Sequence, residues 1–149
     1  MPRPMSDHPT DLELEILKIL WEESPLNARD VQTRLAEAGR ELAYSSVITM
    51  CNIMVDKGQL AREKQARAFV FTPVREREDV AAGMTGDLLT RLFDGSAAQM
   101  MLGLFDAADI DADELTELRK MLNRKAKSLR EDANSPERAH ATRGKRGAE

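Results

Sequence analysis

The chain has 149 residues, 32% of them charged and only 4% aromatic, with a formal net charge of -4. That length accommodates one compact domain with an appendage, or two small domains. The acidic balance excludes a uniformly basic, histone-like nucleic-acid binder, so any such activity must come from a local patch. A single cysteine, Cys51, excludes an internal disulfide framework and fits a reducing compartment. The opening residues lack the apolar core of a signal peptide, and no run approaches the length of a membrane span. A soluble, cytoplasmic protein without membrane insertion is expected.

Residues 1–9 carry three prolines and read as a flexible lead-in. Thr10-Asp-Leu-Glu13 then forms a capping box, followed by Leu14, Ile16, Leu17, Leu20 and Trp21 near one stripe, which predicts a helix from about 11 to 23. Ser24-Pro25 breaks it, because proline lacks the amide hydrogen and restricts the residue before it. Asn27 caps a second helix, with Val31 and Leu35 inward and Gly39 as a left-handed exit.

The stretch Tyr44 to Gly58 is the most informative in the chain. Val47, Met50, Cys51, Met54 and Val55 fall at helical spacing, while Ser45, Ser46, Thr49, Asn52 and Asp56 recur on the other side. Most surface helices turn Glu and Lys outward. This one turns out small hydroxyls and an amide, which can approach base edges in a major groove.

Two short extended runs follow, Leu60 to Lys64 and Ala68 to Thr72, around Gln65-Ala66, with Phe69 and Phe71 sharing one face of the second. Between Lys57 and Arg75, five basic residues (Lys57, Arg62, Lys64, Arg67, Arg75) stand against Glu63 alone, so 5 minus 1 gives +4. Three short helices and a basic hairpin in this order describe a winged helix-turn-helix, with the third helix in the groove and the hairpin against phosphates.

From Glu76 the composition changes. Val80, Met84, Leu88 and Leu92 step by four beside Leu89 and Phe93, and Gly95 ends that helix. Ser96 to Gln99 opens a short helix striped by Met100, Met101, Leu104 and Phe105. Asp111 to Glu114 opens a third, with Leu115, Leu118, Leu122 and Leu129 close to heptad positions, acidic early and basic late as the helix dipole favours. Some 50 residues are too few to bury so wide an apolar surface against themselves, so core shared between two chains is the better reading. Residues 131–149 read as a disordered tail. The fold class is mainly α with a small β-hairpin. The expected division is 10–75 for the winged-helix domain and 76–130 for helical dimerisation, through Leu88, Leu92, Phe93, Met100, Met101, Leu104, Phe105, Leu115, Leu118 and Leu122.

Four blocks in order, Ile16-Leu-Lys-Ile-Leu-Trp21, Pro25 to Val31, Tyr44-Ser-Ser-Val with Asn52 to Gly58, and Arg67 to Pro73, resemble the penicillinase-repressor family (BlaI/MecI, with the copper-responsive CopY repressors as relatives). The likeness covers about residues 10–130. It implies a homodimeric winged-helix repressor on a palindromic double-stranded operator. In its beta-lactam-responsive members a membrane sensor-protease system leads to cleavage within the dimerisation region, and such a system is the further partner implied. The similar stretch here is near Gln99 to Phe105, where the expected Asn-Phe pair is absent, so proteolytic release stays open. Copper-responsive relatives use paired cysteines, which one cysteine cannot supply. Family members often carry Lys or Arg where this chain has Ile48, Ile53, Asp56, Val70 and Thr72, a Gly where it has Ala66, and a Ser cap where it has Ala43. The charge differences imply fewer phosphate contacts.

The first hypothesis is therefore a sequence-specific repressor, with Tyr44, Ser45, Ser46, Ile48, Thr49 and Asn52 presented to the groove and Arg62, Lys64 and Arg67 to phosphates. Ile48 would touch a thymine methyl. The alternative is a winged-helix interaction module without sequence-specific DNA binding, using Ile48 and Ile53 as an apolar contact. An enzyme is the weakest reading, and neither a cofactor nor a metal is expected. His8 and His140 lie in the expected flexible ends, and no Gly-rich phosphate loop or Cys, His and carboxylate cluster occurs. Cys51 reads as a small buried hydrophobe, with a redox switch as the sharper idea.

Overall fold

A computed structural model of the protein describes residues 8–135. The first helix, α1 (Asp11–Glu22), begins at the expected capping box. The Thr10 hydroxyl accepts from the Glu13 amide at 3.3 Å, and the Glu13 carboxylate accepts from the Thr10 amide at 2.9 Å. Asn27 caps α2 (Ala28–Glu37), its side-chain oxygen accepting from the Asp30 amide at 2.8 Å, and Gly39 leaves at a φ of +92°. The third helix, α3 (Tyr44–Asp56), ends as expected at Gly58, which takes a φ of +79° that suits a residue without a Cβ.

Two strands follow, β2 (Leu60–Gln65) and β3 (Ala68–Pro73), paired antiparallel with Arg62 opposite Phe71 and Lys64 opposite Phe69. A further strand, β1 (Leu26–Asn27), pairs antiparallel with β3, Leu26 opposite Phe71, so the sheet order is β1-β3-β2. That strand was not expected. Two residues show no period of two, and their partner is remote in sequence. Ile16, Leu17, Leu20, Val31, Leu35, Val47, Cys51, Met54, Leu60 and Phe71 form one buried cluster against which the three helices and the hairpin root close. Phe69 and Phe71 do share a face, but the hairpin runs outward from this core, so Phe71 is buried and Phe69 is exposed.

The chain divides into two compact units, Met1–Ser96 and Ala97–Glu149. The first includes α4 (Arg77–Phe93). Its approach is held by the Trp21 indole, which donates to the Arg75 carbonyl at 2.9 Å. Asp94 adopts the left-handed cap at a φ of +50°, with Gly95 following at +81°. His8, expected in a flexible lead-in, lies 3.7 Å from the Asp87 carboxylate on α4. Pairing with that helix takes it out of the lead-in, and residues 1–7 lie outside the described residues.

The second unit holds α5 (Ala97–Ala107) and α6 (Ala112–Ala133), the latter capped by Asp111, which accepts from the Glu114 amide at 2.8 Å. It runs three residues past its expected end at 130, because no Gly or Pro interrupts the sequence before Pro136. The remainder of the expected tail, with His140, lies outside the described residues from 136 onward. No residue of α4, α5 or α6 is buried.

One ion pair joins the start of α1 to the end of α3. Glu13, only 1% exposed, receives Lys57 Nζ on both carboxylate oxygens, at 2.9 and 2.8 Å. Burial pushes the Glu13 carboxyl upward. The Lys57 hydrogen bonds, the Thr10 cap and the Lys57 charge outweigh it and hold the group below its ordinary 4.5. A carboxyl depressed in the fold adds stability above its unfolded value and loses it as the pH falls through the folded one. Glu13→Gln is expected to cost about 3 kcal/mol at neutral pH, since it leaves a largely buried ammonium poorly paired. In urea titrations at several pH values, the gap to wild type should narrow as the pH falls below the ordinary carboxyl value of 4.5 and through the depressed folded one.

Candidate nucleic-acid interface

Ser45, Thr49, Asn52 and Asp56 follow the i, i+4, i+7, i+11 spacing of a single helical row on α3, opposite the buried Val47, Cys51 and Met54. Ser45, Thr49 and Asp56 are exposed, as are Tyr44 and Ser46 beside them, and Asn52 is half-buried. Ile48 is half-buried and rests against the core, while Ile53 on the outer side is 42% exposed. Tyr44 is covered by an Arg29 guanidinium 5.1 Å from its ring centre. The Gln32 amide donates to the Leu42 carbonyl at 3.0 Å, which fixes the link between α2 and α3.

The start of α3 has no side-chain cap among the described residues. Ala43 occupies the position and Ser45 does not substitute for a capping side chain. The first-turn amides of this helix are therefore left without the side-chain acceptor that α1, α2 and α6 each possess.

The hairpin supplies the positive charge. By the register, Arg62, Lys64, Phe69 and Phe71 share one face. Arg62 lies over the Phe69 ring at 4.4 Å, and its Nη1 donates to Asn52 Oδ1 at 2.9 Å. Lys64 and Arg67 are exposed near the turn, where Ala66 takes a φ of +53°, a conformation that costs a residue with a Cβ roughly 1 kcal/mol. Lys57 counts toward the +4 of this segment by sequence, yet its charge is spent inside the fold on Glu13.

The contacts Arg62 to Asn52, Arg62 to Phe69 and Arg29 to Tyr44 join residues from different elements. Sequence reasoning missed Arg29 and Phe69 for that reason. The strand register, once known, is the signal that places Phe69 beside Arg62.

The apolar residues of the C-terminal helices stay uncovered within the chain. Leu88, Leu92, Leu104, Phe105, Leu115 and Leu122 are exposed, and Phe93, Met100, Met101 and Leu118 are half-buried. Leu102, Met121 and Leu129 extend the exposed set. Among the described residues no group of three or more His, Cys, Asp or Glu could hold a metal, and no helix is long and apolar enough to cross a membrane.

Three short helices, the third with an outward polar row, and a sheet ending in a basic hairpin define a winged helix-turn-helix. The chain belongs to the penicillinase repressor family, whose profile matches residues 9–124. It is similar to the penicillinase repressor of Bacillus licheniformis, 27% identical over 113 residues that span 76% of this chain and 88% of that protein. It is also similar to the transcriptional regulator BlaI of Mycobacterium tuberculosis, 32% identical over 113 residues, 75% of this chain and 80% of that one. These relatives are transcriptional regulators, not enzymes. A solution structure of the DNA-binding domain of the repressor BlaI aligns over 48% of this chain and 85% of its own, at 31% identity and a TM-score of 0.43.

Two outcomes are expected from this geometry. Ala43→Ser should stabilise the domain by about 1 kcal/mol in urea unfolding, by supplying the side-chain acceptor that the first turn of α3 lacks. Cys51 is fully buried and its thiol is pushed up to about 11 by that burial, so it stays protonated at neutral pH. Iodoacetamide should label it only in denaturant, and peroxide should leave the native protein unmodified at this residue.

Proposed function

We propose that the protein is a homodimeric, cytoplasmic transcriptional repressor that reads a palindromic double-stranded operator. Residues 10–75 form the DNA-binding domain, and α4 to α6 form the dimerisation region over residues 76–130. The reading is carried by the polar row of exposed Ser45 and Thr49 and half-buried Asn52 on α3, flanked by the cations of the hairpin. Small hydroxyls and an amide let the helix approach base edges closely. Lys64 and Arg67 meet phosphates on the same duplex, fixing register without reading sequence.

The dimer is supported by the helices that bury nothing within one chain. Leucine, methionine and phenylalanine at helical spacing on α4, α5 and α6 gain a core when a second copy covers them. Two copies then present two reading helices to two half-sites. Membership of the family suggests a stress or antibiotic signal as the input and a membrane sensor-protease system as the upstream partner.

Fluorescence anisotropy on an inverted repeat from the protein's own promoter tests the reading. Specific DNA should be bound at least about a thousandfold more tightly than random DNA at moderate salt. Arg67→Ala should weaken both about equally and lower the salt slope by about 1. Leu122→Glu should give monomers in sedimentation equilibrium and lose the operator with the dimer. Equal affinity for repeat and random DNA would instead favour an interaction module built on the exposed Ile53.

A further inference from the structure

Arg62 has a different environment from the other cations of the hairpin. Its guanidinium carbon lies over one ring, 4.4 Å from the centre of Phe69, and its Nη1 donates to one amide, Asn52 Oδ1, at 2.9 Å. Both partners come from outside β2: Phe69 from β3 and Asn52 from the outer row of α3. The register explains the reach. Arg62 stands opposite Phe71 and Lys64 opposite Phe69, so Arg62 and Phe69 are diagonal neighbours on one face.

A guanidinium carries donors and no acceptor, so the Asn52 amide must turn its oxygen toward Arg62 and its Nδ2 hydrogens away. An asparagine that reads adenine uses both ends of the amide, the oxygen for the N6 amino group and the nitrogen for N7. Here Arg62 occupies one of the two acceptor sites of the oxygen, and the Nδ2 end is turned away from the guanidinium. Guanine offers acceptors at both N7 and O6 on its major-groove edge, whereas adenine places a donor where guanine has O6. Lysine is a poorer replacement for Arg62: its ammonium is also donor-only, but it is not planar and cannot be held by stacking over the Phe69 ring while it donates to Asn52.

We propose that Arg62 is a positioning residue for specificity, clamped by Phe69 and turning the Asn52 amide so that it selects guanine over adenine at one base pair of each half-site. The clamp also joins the wing to the reading helix, so the two reach the duplex as one piece. Phosphate neutralisation by the wing falls to Lys64 and Arg67. This inference rests on the operator-binding reading above.

The experiment combines selection from randomised half-sites, salt titration of the selected duplex and the side-chain amide resonances of the free, full-length dimer. Wild type should select guanine at one position per half-site, and Asn52→Ala should lose about tenfold in preference there. Arg62→Lys and Arg62→Ala should shift that position toward adenine with the salt slope unchanged. Phe69→Leu should do so more weakly. Lys64→Ala should lower the slope by about 1 and leave every base preference intact. In the free protein, Arg62→Lys and Phe69→Leu should both move the Asn52 Nδ2 resonances.

An Arg62→Ala protein with intact preferences and a slope lowered by about 1 would overturn the clamp and make Arg62 a phosphate contact. Unmoved Asn52 resonances in Arg62→Lys would overturn it without any DNA present. Wild type with no base preference at all would instead overturn the operator reading, and this inference with it.

Discussion

The ion pair between Glu13 and Lys57 sets the geometry on which the rest of the winged-helix unit depends. Glu13 closes the capping box that starts α1, and the same carboxylate takes both bonds from the residue that ends α3. A buried carboxylate is costly unless its oxygens are satisfied. Lys57, at the end of α3, donates to both oxygens of this one. Gly58 turns the chain there and β2 begins two residues later, so the exit of the reading helix and the root of the wing are located together.

From that anchor the interface follows. The core side of α3 is filled by Val47, Cys51 and Met54, which turns Ser45, Thr49 and Asn52 outward by helical geometry alone. The outer row of α3 carries no cation of its own, and several cations nearby in sequence are paired within the fold. Lys57 is taken into the fold, Arg40 pairs with Glu15 and Arg34 with Glu23. Asp56 adds a negative charge to the outer row. On the proposed operator-binding function, contacts to base edges then carry a larger share of recognition than they would on a strongly basic surface, and the orientation of each polar group matters more.

The C-terminal helices present the opposite situation. Their sequence has the caps and apolar stripes of stable packed helices, yet no residue of α4, α5 or α6 is buried within the chain. Exposed Leu, Met and Phe at this density are unfavourable in water, and a large uncovered apolar patch marks an interaction surface. In the proposed homodimer a second copy covers them.

Much was legible in the residues alone. Thr10 and Glu13, Asn27 and Asp30, and Asp111 announced helix starts because capping is local chemistry, and Gly39 and Gly58 marked ends because only a few backbone angles leave a helix. The polar row of α3 and the +4 hairpin were visible as period and charge. Tertiary structure alone decided the pairing of β1 with β3, the pairing of Lys57 with the buried Glu13, the place of His8 beside Asp87 and the meeting of Arg62, Phe69 and Asn52. Each joins residues far apart in sequence, and neither periodicity nor composition carries distance. By itself the sequence determined the elements, their ends and the character of their faces. Which side chains touch was determined only when those faces closed on one another, because burial and the need to satisfy buried polar groups act between elements rather than within them.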